Sequence, residues 1–255
     1  MSELRVFNSV KDFMTYRRSL PAATSVGFAP TMGALHQGHA SLMKRAATEN
    51  DICVLSIFVN PTQFNNPEDL KKYPRTWEAD VELAEKSGAN IILSPQYEEL
   101  YADNYRFQIG EKEFSKKLCG AHRPGHFDGV LTVVMKLLQI VAPSKAYFGE
   151  KDYQQLKLIE DMTTTFFVNT AIVPCATVRE ADGLAMSSRN MRLSSEGRKK
   201  APLLYKALKE FSDFNQAKKL LSEQQIELEY FEEHFGRRFI AAHIEGVRLI
   251  DNVQI

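Results

Sequence analysis

Cysteine is scarce in this chain of 255 residues, and neither sign of charge is in excess. The three cysteines, Cys53, Cys119 and Cys175, lie far apart and form no C-x-x-C pair. This spacing suggests neither a disulfide framework nor a zinc site, so we expect buried thiols in a reducing compartment, the cytoplasm. Lys+Arg and Asp+Glu both number 32. Without a basic excess, nucleic acid and anionic membrane surfaces are disfavoured as partners.

Long apolar runs and the common nucleotide motifs are also missing. No run reaches membrane-spanning length, and residues 1–10 lack the apolar core of a signal peptide. The sequence contains no P-loop, no G-x-G-x-x-G fingerprint and no H-E-x-x-H zinc motif. A composition with 44% hydrophobic and 25% charged residues is that of an ordinary globular chain, with enough residues for one large or two modest domains.

Short apolar runs alternate with helical periodicity through residue 180. The predicted strands are 26–29, 52–59, 90–93, 145–148, 170–173 and 176–179. The predicted helices between them are 10–20, 40–47, 77–87, 127–141 and 152–167. Near-continuous apolar runs are typical of strands covered on both faces, so the pattern predicts an α/β fold with a doubly wound parallel sheet.

The composition changes after residue 180. Small, polar and basic residues dominate 181–200, helical patterns follow over 201–221, and alternation at 226–230 and 247–250 indicates a small antiparallel sheet. We therefore expect residues 1–180 to form the α/β domain and residues 181–255 to form a smaller α+β domain.

The stretch 29–39 is the clearest functional signal, because it reads as strand, turn and helix start. Pro30 and Gly33 are predicted to end the strand, and His36 and His39 fall in the first turn of the helix. A helix N-terminus attracts anions such as phosphate. One histidine there is more often a cap, but two histidines three residues apart beside glycines favour a nucleotide site.

Three other polar groups are candidates for the same chemistry. Asn60 with Gln63 and Lys151 with Asp152 follow apolar strands, and Ser187-Ser188-Arg189 offers two hydroxyls and a guanidinium for phosphate oxygens. Each group has an alternative interpretation. Asn60 and Gln63 would only form a turn, Lys151 would be a solvated lysine at a helix start, and Ser187-Ser188-Arg189 would be an ordinary linker. This donor-rich set favours phosphoryl or nucleotidyl transfer over hydrolysis by an activated serine.

Two further segments carry weaker signals. Glu78 and Asp80 are interpreted as surface charges of a helix, with Mg²⁺ binding as the alternative. Residues 116–127 are rich in glycine, proline and basic side chains, which predicts a loop suited to act as a lid.

The stretch 29–39 with its two histidines resembles a known sequence signature. Residues 30–39 are similar to the H-x-G-H motif of the nucleotidyltransferase superfamily related to class I aminoacyl-tRNA synthetases. Further stretches, in the same order, resemble the pantoate–β-alanine ligase family: 56–64, 73–76, 125–130, 148–156 and 186–190. The resemblance implies a homodimer whose N-terminal domain is Rossmann-like and binds ATP and pantoate. It also implies that the enzyme condenses pantoate with β-alanine, using ATP and Mg²⁺, through a pantoyl adenylate.

The resemblance also implies roles for individual residues. His39 would be the proton donor, with His36 and Lys151 as the other catalytic side chains; Gln63 and Gln155 would hold pantoate, and Asn60 would shape that pocket. The implied ATP contacts are Pro30, Met32, Gly33, Ala34, Leu35, His36, Gln37, Gly38, His39, Gly149, Glu150, Lys151, Asp152, Val178, Met186, Ser187, Ser188 and Arg189. The segment 186–189 is similar to the K-M-S-K-S loop of the synthetases. The metal ligands stay unknown.

Other functions stay open at this point. A nucleotidyltransferase that acts on a phosphate ester would need a basic acceptor pocket in place of two glutamines. A nucleotide-binding regulatory module would leave His36, His39 and Lys151 without a purpose. A tRNA synthetase is disfavoured, since the chain has no room for an anticodon domain. The tail departs from the resemblance, because 230–235 runs almost directly into 237–242 and predicts a shortened C-terminal domain.

Overall fold

A parallel sheet organises the first part of the chain in the computed structural model, which describes residues 4–255. Its strands are β1 (Arg5–Phe7), β2 (Val26–Thr31), β3 (Ile52–Ile57), β4 (Ile91–Leu93), β5 (Lys145–Gly149) and β6 (Ala171–Cys175). Their order is β1-β4-β3-β2-β5-β6, with every pair parallel. The chain runs outward from β2 to β4 in one direction and from β5 to β6 in the other. The doubly wound sheet is confirmed, and β2 and β5 border its switch point, where such sheets bind ligands.

Helices connect and flank these strands. They are α1 (Val10–Ser19), α2 (Gln37–Glu49), α3 (Pro67–Lys71), α4 (Trp77–Lys86), α5 (Tyr97–Leu100), α6 (Cys119–His122), α7 (His126–Val141) and α8 (Tyr153–Thr165). The strands read as apolar runs because both sheet faces are covered: Phe28, Leu55, Ile92 and Tyr147 have no exposed surface. The three cysteines are free and buried, as expected.

A second, antiparallel sheet lies near the end of the chain. It contains β7 (Glu227–His234), β8 (Arg237–Ile244) and β9 (Val247–Gln254) in that order, and it follows helices α9 (Ser195–Lys200), α10 (Leu203–Glu210) and α11 (Phe214–Ser222). Leu204, Leu208, Leu221 and Ile240 are buried in one apolar cluster. Residues 4–255 include no helix with the length and apolarity that a membrane crossing requires.

The contacts divide the described chain into two compact units. The first contains the residues up to Gly149 together with Gln154–Cys175, and the second contains Glu150–Tyr153 together with Ala176–Ile255. The short segment after β5 therefore belongs to the unit of the antiparallel sheet. The domain limits expected from composition, 1–180 and 181–255, stay a prediction.

Pro30 does not end its strand, which corrects the sequence-based expectation. β2 continues to Thr31, whose carbonyl accepts a hydrogen bond from the Phe58 N–H at 3.1 Å beyond β3. Successive residues of a strand face opposite neighbours, so Pro30 faces β5, which pairs with β2 only at Gly27 and Phe28. The missing N–H of Pro30 therefore removes no hydrogen bond from the sheet.

The expectations at the two sheet edges also need correction. Residues 170–173 and 176–179 are not two strands: Pro174 lies within β6, and an isolated bridge between Arg179 and Ala185 is what the structure shows for the second stretch. An edge strand tolerates proline because one side has no partner. β1 was not predicted, since a strand of three residues, two of them exposed, gives no apolar run.

The segment expected to be a lid is fastened to the first unit. It contains α6, which the loop prediction missed, and the buried Gln154 side chain binds its backbone. The Gln154 amide donates to the carbonyls of Phe114 and Lys117, both at 2.8 Å, and accepts the Cys119 N–H at 3.0 Å. Two of these hydrogen bonds are to the segment itself and the third is to Phe114, two residues before it, so one buried side chain holds this stretch in place.

Candidate active site

The two histidines of the motif form a reciprocal cap on α2. His36 is the N-cap residue, and its Nδ1 accepts the Gly38 N–H at 3.1 Å. The His39 Nδ1 accepts the His36 N–H at 3.3 Å, and the ring centroids are 4.0 Å apart. Two orphan N–H groups of the helix start are thus satisfied by imidazole nitrogens.

This cap determines where each ring carries its proton. A nitrogen that accepts a hydrogen bond has no proton of its own, so the neutral rings of His36 and His39 are protonated on Nε2. A second proton on Nδ1 would oppose a backbone N–H. Capping and ligand binding are therefore compatible, because each role uses a different nitrogen of the same ring.

A buried carboxylate holds the turn that leads to these histidines. Asp80, on α4, accepts the N–H groups of Ala34 at 2.9 Å and Leu35 at 2.7 Å and the Thr76 hydroxyl at 3.0 Å. Gly33 has φ +78°, and a Cβ there would lie 3.0 Å from the Asp80 carboxylate. The surface-charge interpretation of Asp80 is wrong, since the residue is 3% exposed, and its oxygens bind this turn instead.

The amide pair after β3 is linked to the motif. Asn60 is 1% exposed, and its amide donates to the Gln63 Oε1 at 3.1 Å and the Gly129 carbonyl at 3.2 Å. The Gln63 Nε2 lies 3.2 Å from the Met32 sulfur. The structure thus brings the predicted pantoate residue Gln63 against the predicted ATP residue Met32.

A tyrosine that the sequence reasoning missed supports this pair. The Tyr101 hydroxyl donates to the Asn60 Oδ1 at 2.9 Å, and burial raises the Tyr101 pKa to about 12. The hydroxyl therefore stays protonated at neutral pH and fixes Asn60 with its oxygen toward Tyr101. Because the Asn60 amide nitrogen then faces Gln63, the Gln63 Nε2 is the group left to donate.

Gln155, the other residue expected to bind pantoate, lies in the first turn of α8, and its side chain is partly exposed. Gln37 is exposed at the first position of α2, and Gly149 is the last residue of β5. The remaining predicted ATP contacts of the motif occupy the end of β2, the following turn and the start of α2: Pro30, Met32, Gly33, Ala34, Leu35 and Gly38.

The predicted cationic and hydroxyl contacts lie in the second unit. Glu150, Lys151 and Asp152 form one turn of 3₁₀ helix, and the Lys151 ammonium lies 3.6 Å from the Asp152 carboxylate. The Asp152 side chain is 48% exposed. Lys151, Ser187 and Arg189 line one small concavity at the surface. Arg248 and the Asp251 carboxylate also line this concavity. Three cations against one carboxylate suit an anionic ligand.

A short hairpin contributes Leu184 and Ala185 to this pocket. The Val178 carbonyl accepts the Met186 N–H at 3.0 Å, so these two predicted ATP residues are neighbours. Ser187 caps the 3₁₀ helix Ser188–Arg192, with its hydroxyl accepting the Arg189 N–H at 3.2 Å. The second unit thus contains Glu150–Asp152, Val178 and Met186–Arg189, whereas Gly149 and the residues of the histidine motif belong to the first.

Metal ligands are not concentrated anywhere in residues 4–255, where no group of three or more His, Cys, Asp or Glu side chains converges. Glu78, the other acidic residue considered for Mg²⁺, is exposed on α4.

Asp80 did carry a signal in the sequence. It lies three residues after Trp77 and four before Ala84, on the apolar face of a helical pattern. A carboxylate on such a face needs buried donors, and the glycine-containing turn after β2 supplies them. Tyr101 had no comparable signal, because its partners are 41 and 39 residues away.

Comparison with known sequences gives matches along the whole chain. A family model described as pantoate-beta-alanine ligase matches residues 5–254. A pantothenate synthetase from Bdellovibrio bacteriovorus is 54% identical over 251 residues, covering 98% of this chain and 99% of that protein. One from Legionella pneumophila is 49% identical over 249 residues, covering 98% and 99%. The compact C-terminal part is therefore shared with these relatives.

Solved structures agree. A pantoate-beta-alanine ligase from Francisella tularensis, solved in complex with beta-gamma ATP and beta-alanine, has a TM-score of 0.95 and 42% identity, covering 99% of this chain and 98% of that chain. A pantothenate synthetase from Thermus thermophilus has a TM-score of 0.88 and 38% identity, covering 98% and 99%. The likeness extends to both sheets described above.

Proposed function

Because the chain belongs to the pantoate–β-alanine ligase family, we propose that it joins pantoate to β-alanine and converts ATP to AMP and pyrophosphate. A relative of the same fold was solved with beta-gamma ATP and beta-alanine, which supports both as ligands here. The family resemblance supports a pantoyl adenylate as the intermediate.

The proposed reaction has two steps. A carboxylate oxygen of pantoate attacks the α-phosphorus of ATP, the bond to the bridging oxygen breaks, and pyrophosphate leaves with the electron pair. The uncharged β-alanine amine then attacks the acyl carbon of the adenylate. The amide bond forms, the bond from the acyl carbon to the phosphate oxygen breaks, AMP leaves with the electron pair, and the amine nitrogen loses a proton to solvent. In the first step negative charge builds on pyrophosphate, so fixed donors are the catalytic requirement.

The roles follow from the donors present. We assign the Nε2–H groups of His36 and His39 and the Lys151 ammonium to hydrogen bonds with the leaving phosphates. His39 fills the proton-donor role that the resemblance implies as a hydrogen-bond donor, since its ring is neutral. Ser187, Ser188 and Arg189 are the further phosphate contacts. Gln63, whose Nε2 is the remaining donor of the Asn60 pair, is assigned to pantoate together with Gln155.

The observation that carries this proposal is the reciprocal cap of His36 and His39. It commits both Nδ1 atoms to backbone N–H groups, and it thereby makes two neutral Nε2–H donors at one helix start. Preorganised donors of this kind cost no reorganisation when charge develops.

We include Mg²⁺ as the ion that enters with ATP. Mg²⁺ is usually bound by phosphates and one or two carboxylates, which fits a chain without a convergent carboxylate cage among its described residues. When bound, the ion neutralises charge on the phosphates.

A homodimer in the cytoplasm is the assembly and location that we propose from the family resemblance. Light scattering on the purified protein tests the dimer, and a monomer at working concentration would contradict it.

The test of function is release of AMP from ATP with each substrate omitted in turn. We expect AMP only when pantoate and β-alanine are both present, and pantoate-dependent ATP–pyrophosphate exchange without β-alanine. Lys151→Ala should slow this exchange about a hundredfold or more, whereas Lys199→Ala, an exposed lysine of the same unit, should not. A product that retains the nucleotide would indicate a transferase instead.

A further inference from the structure

We propose that Asn252 is a positioning residue for Lys151, an assignment that rests on the role proposed above for this lysine. Asn252 lies in β9, 101 residues after Lys151, and is 3% exposed. Its side-chain Nδ2 donates to the carbonyl of Glu150 at 2.8 Å and to that of Lys151 at 2.9 Å. One buried amide thus holds two consecutive peptide groups of the segment that carries the lysine.

The chemistry of this contact requires an amide. Two carbonyl oxygens face the same side-chain atom, so that atom must bring two N–H donors, and only the NH₂ group of asparagine does so here. The Asn252 Oδ1 is buried without a hydrogen-bond partner among residues 4–255. Burying an oxygen without a hydrogen bond is unfavourable. The Asn252 side chain therefore has this orientation because its Nδ2 makes two hydrogen bonds with the segment, although its Oδ1 makes none.

Neighbouring residues hold both ends of the contact. Asn252 donates its backbone N–H to the Asp251 carboxylate at 2.8 Å, and Asp251 accepts a bidentate pair from Arg179 at 2.6 and 2.9 Å. On the other side, Arg237 binds the Glu150 carboxylate at 2.6 Å. The segment Glu150–Lys151 is therefore held at a side chain and at two carbonyls.

This arrangement explains why the segment groups with the second unit although it follows β5 in sequence. Lys151 lines the same pocket as Ser187 and Arg189, and β9 contributes Asp251 to that pocket. Asn252 thus sets the position of the lysine relative to the other phosphate donors. Asn252 itself is not assigned to ATP, because both N–H groups of its side chain donate to backbone carbonyls.

The test is Asn252→Asp, which keeps the shape and replaces two donors with a carboxylate facing two carbonyls. Gln254→Glu is the matched control, because it makes the same amide-to-carboxylate change at an exposed position two residues along β9. We expect Asn252→Asp to lower kcat for pantoate-dependent ATP–pyrophosphate exchange about tenfold or more and to raise the KM for ATP. The KM for pantoate should stay within about twofold, and Gln254→Glu should match the wild type.

The readouts separate positioning from folding. A variant that only loses folded protein keeps the wild-type KM for ATP and loses rate in proportion to the folded fraction, measured by circular dichroism, and that result overturns the inference. If Asn252→Asp does not fold, the second variant is Arg237→Lys, which keeps the positive charge beside Glu150. An unchanged KM for ATP in Arg237→Lys also overturns the inference that contacts from this sheet position Lys151. If the wild-type protein shows no pantoate-dependent exchange, the proposed function fails, and ATP protection of Lys151 from amine acylation, compared between wild type and Asn252→Asp, still tests the positioning.

Discussion

The Asp80 carboxylate accepts the backbone N–H of Leu35 at 2.7 Å, across 45 residues of sequence. It holds the turn between β2 and α2, and so the two capping histidines begin from a fixed backbone.

Asp80→Asn should disturb the turn, because an amide NH₂ would face a backbone N–H. We expect a loss of about 1–3 kcal/mol in the free energy of unfolding, measured with urea, and slower pantoate-dependent exchange. Glu78→Gln is the control, since it makes the same change at an exposed position of α4. Wild-type stability in Asp80→Asn would show that the turn does not depend on the carboxylate.

His36→Asn should separate capping from catalysis. Asparagine can supply an acceptor where Nδ1 lies but has no equivalent of the Nε2–H, so we expect stability near that of the wild type and exchange slowed about a hundredfold. His36→Ala should lose the cap as well, at a cost of about 1 kcal/mol in stability. Equal exchange rates in wild type and His36→Asn would remove the Nε2–H from the mechanism.

Gln63→Ala should act on pantoate. The lost hydrogen bond is worth about 1–2 kcal/mol, so steady-state kinetics should show the pantoate KM raised about tenfold and the ATP KM unchanged. Gln139→Ala, at an exposed position of α7, serves as control. A changed ATP KM with a normal pantoate KM would contradict the assignment.

Glu49 should make stability depend on pH in the acid range. Hydrogen bonds from Arg45 and then Lys145 lower its pKa from 4.5 to about 2. Because the carboxyl pKa is lower in the folded state than in the unfolded chain, the ionised Glu49 stabilises the folded protein at every pH above the unfolded-state pKa. This contribution is lost as the pH falls from about 4.5 to 2. The melting temperature of Glu49→Gln should therefore lie below that of the wild type at pH 7 and approach it near pH 2. A gap that stays constant over this range would contradict the linkage.

The strands were predictable where both sheet faces are covered. β2, β3, β4 and β5 appear in the sequence as apolar runs because helices cover them on both sides. Pro30 and Pro174 misled the prediction, since the effect of a proline depends on which neighbour the residue faces. That direction is a property of the assembled sheet.

The candidate site was predictable as residue types at local spacings. His36 with His39, Asn60 with Gln63, and Ser187-Ser188-Arg189 each lie within four residues, so their chemistry can be read from the chain. Their supports are distant in sequence: Asp80 for the turn, Tyr101 for Asn60, and Asn252 for Lys151.

By itself, then, the sequence determined the class of fold, the family and the donors available for phosphate, because these depend on local periodicity and on motifs in order. The tertiary structure decided which imidazole nitrogen carries each proton, which carboxylate is buried, and that the Lys151 segment is held by β9. The physical reason is that a hydrogen bond joins a donor and an acceptor by their positions in space. Asn252 and Lys151 are 101 residues apart, so no local sequence pattern predicts the hydrogen bond between them.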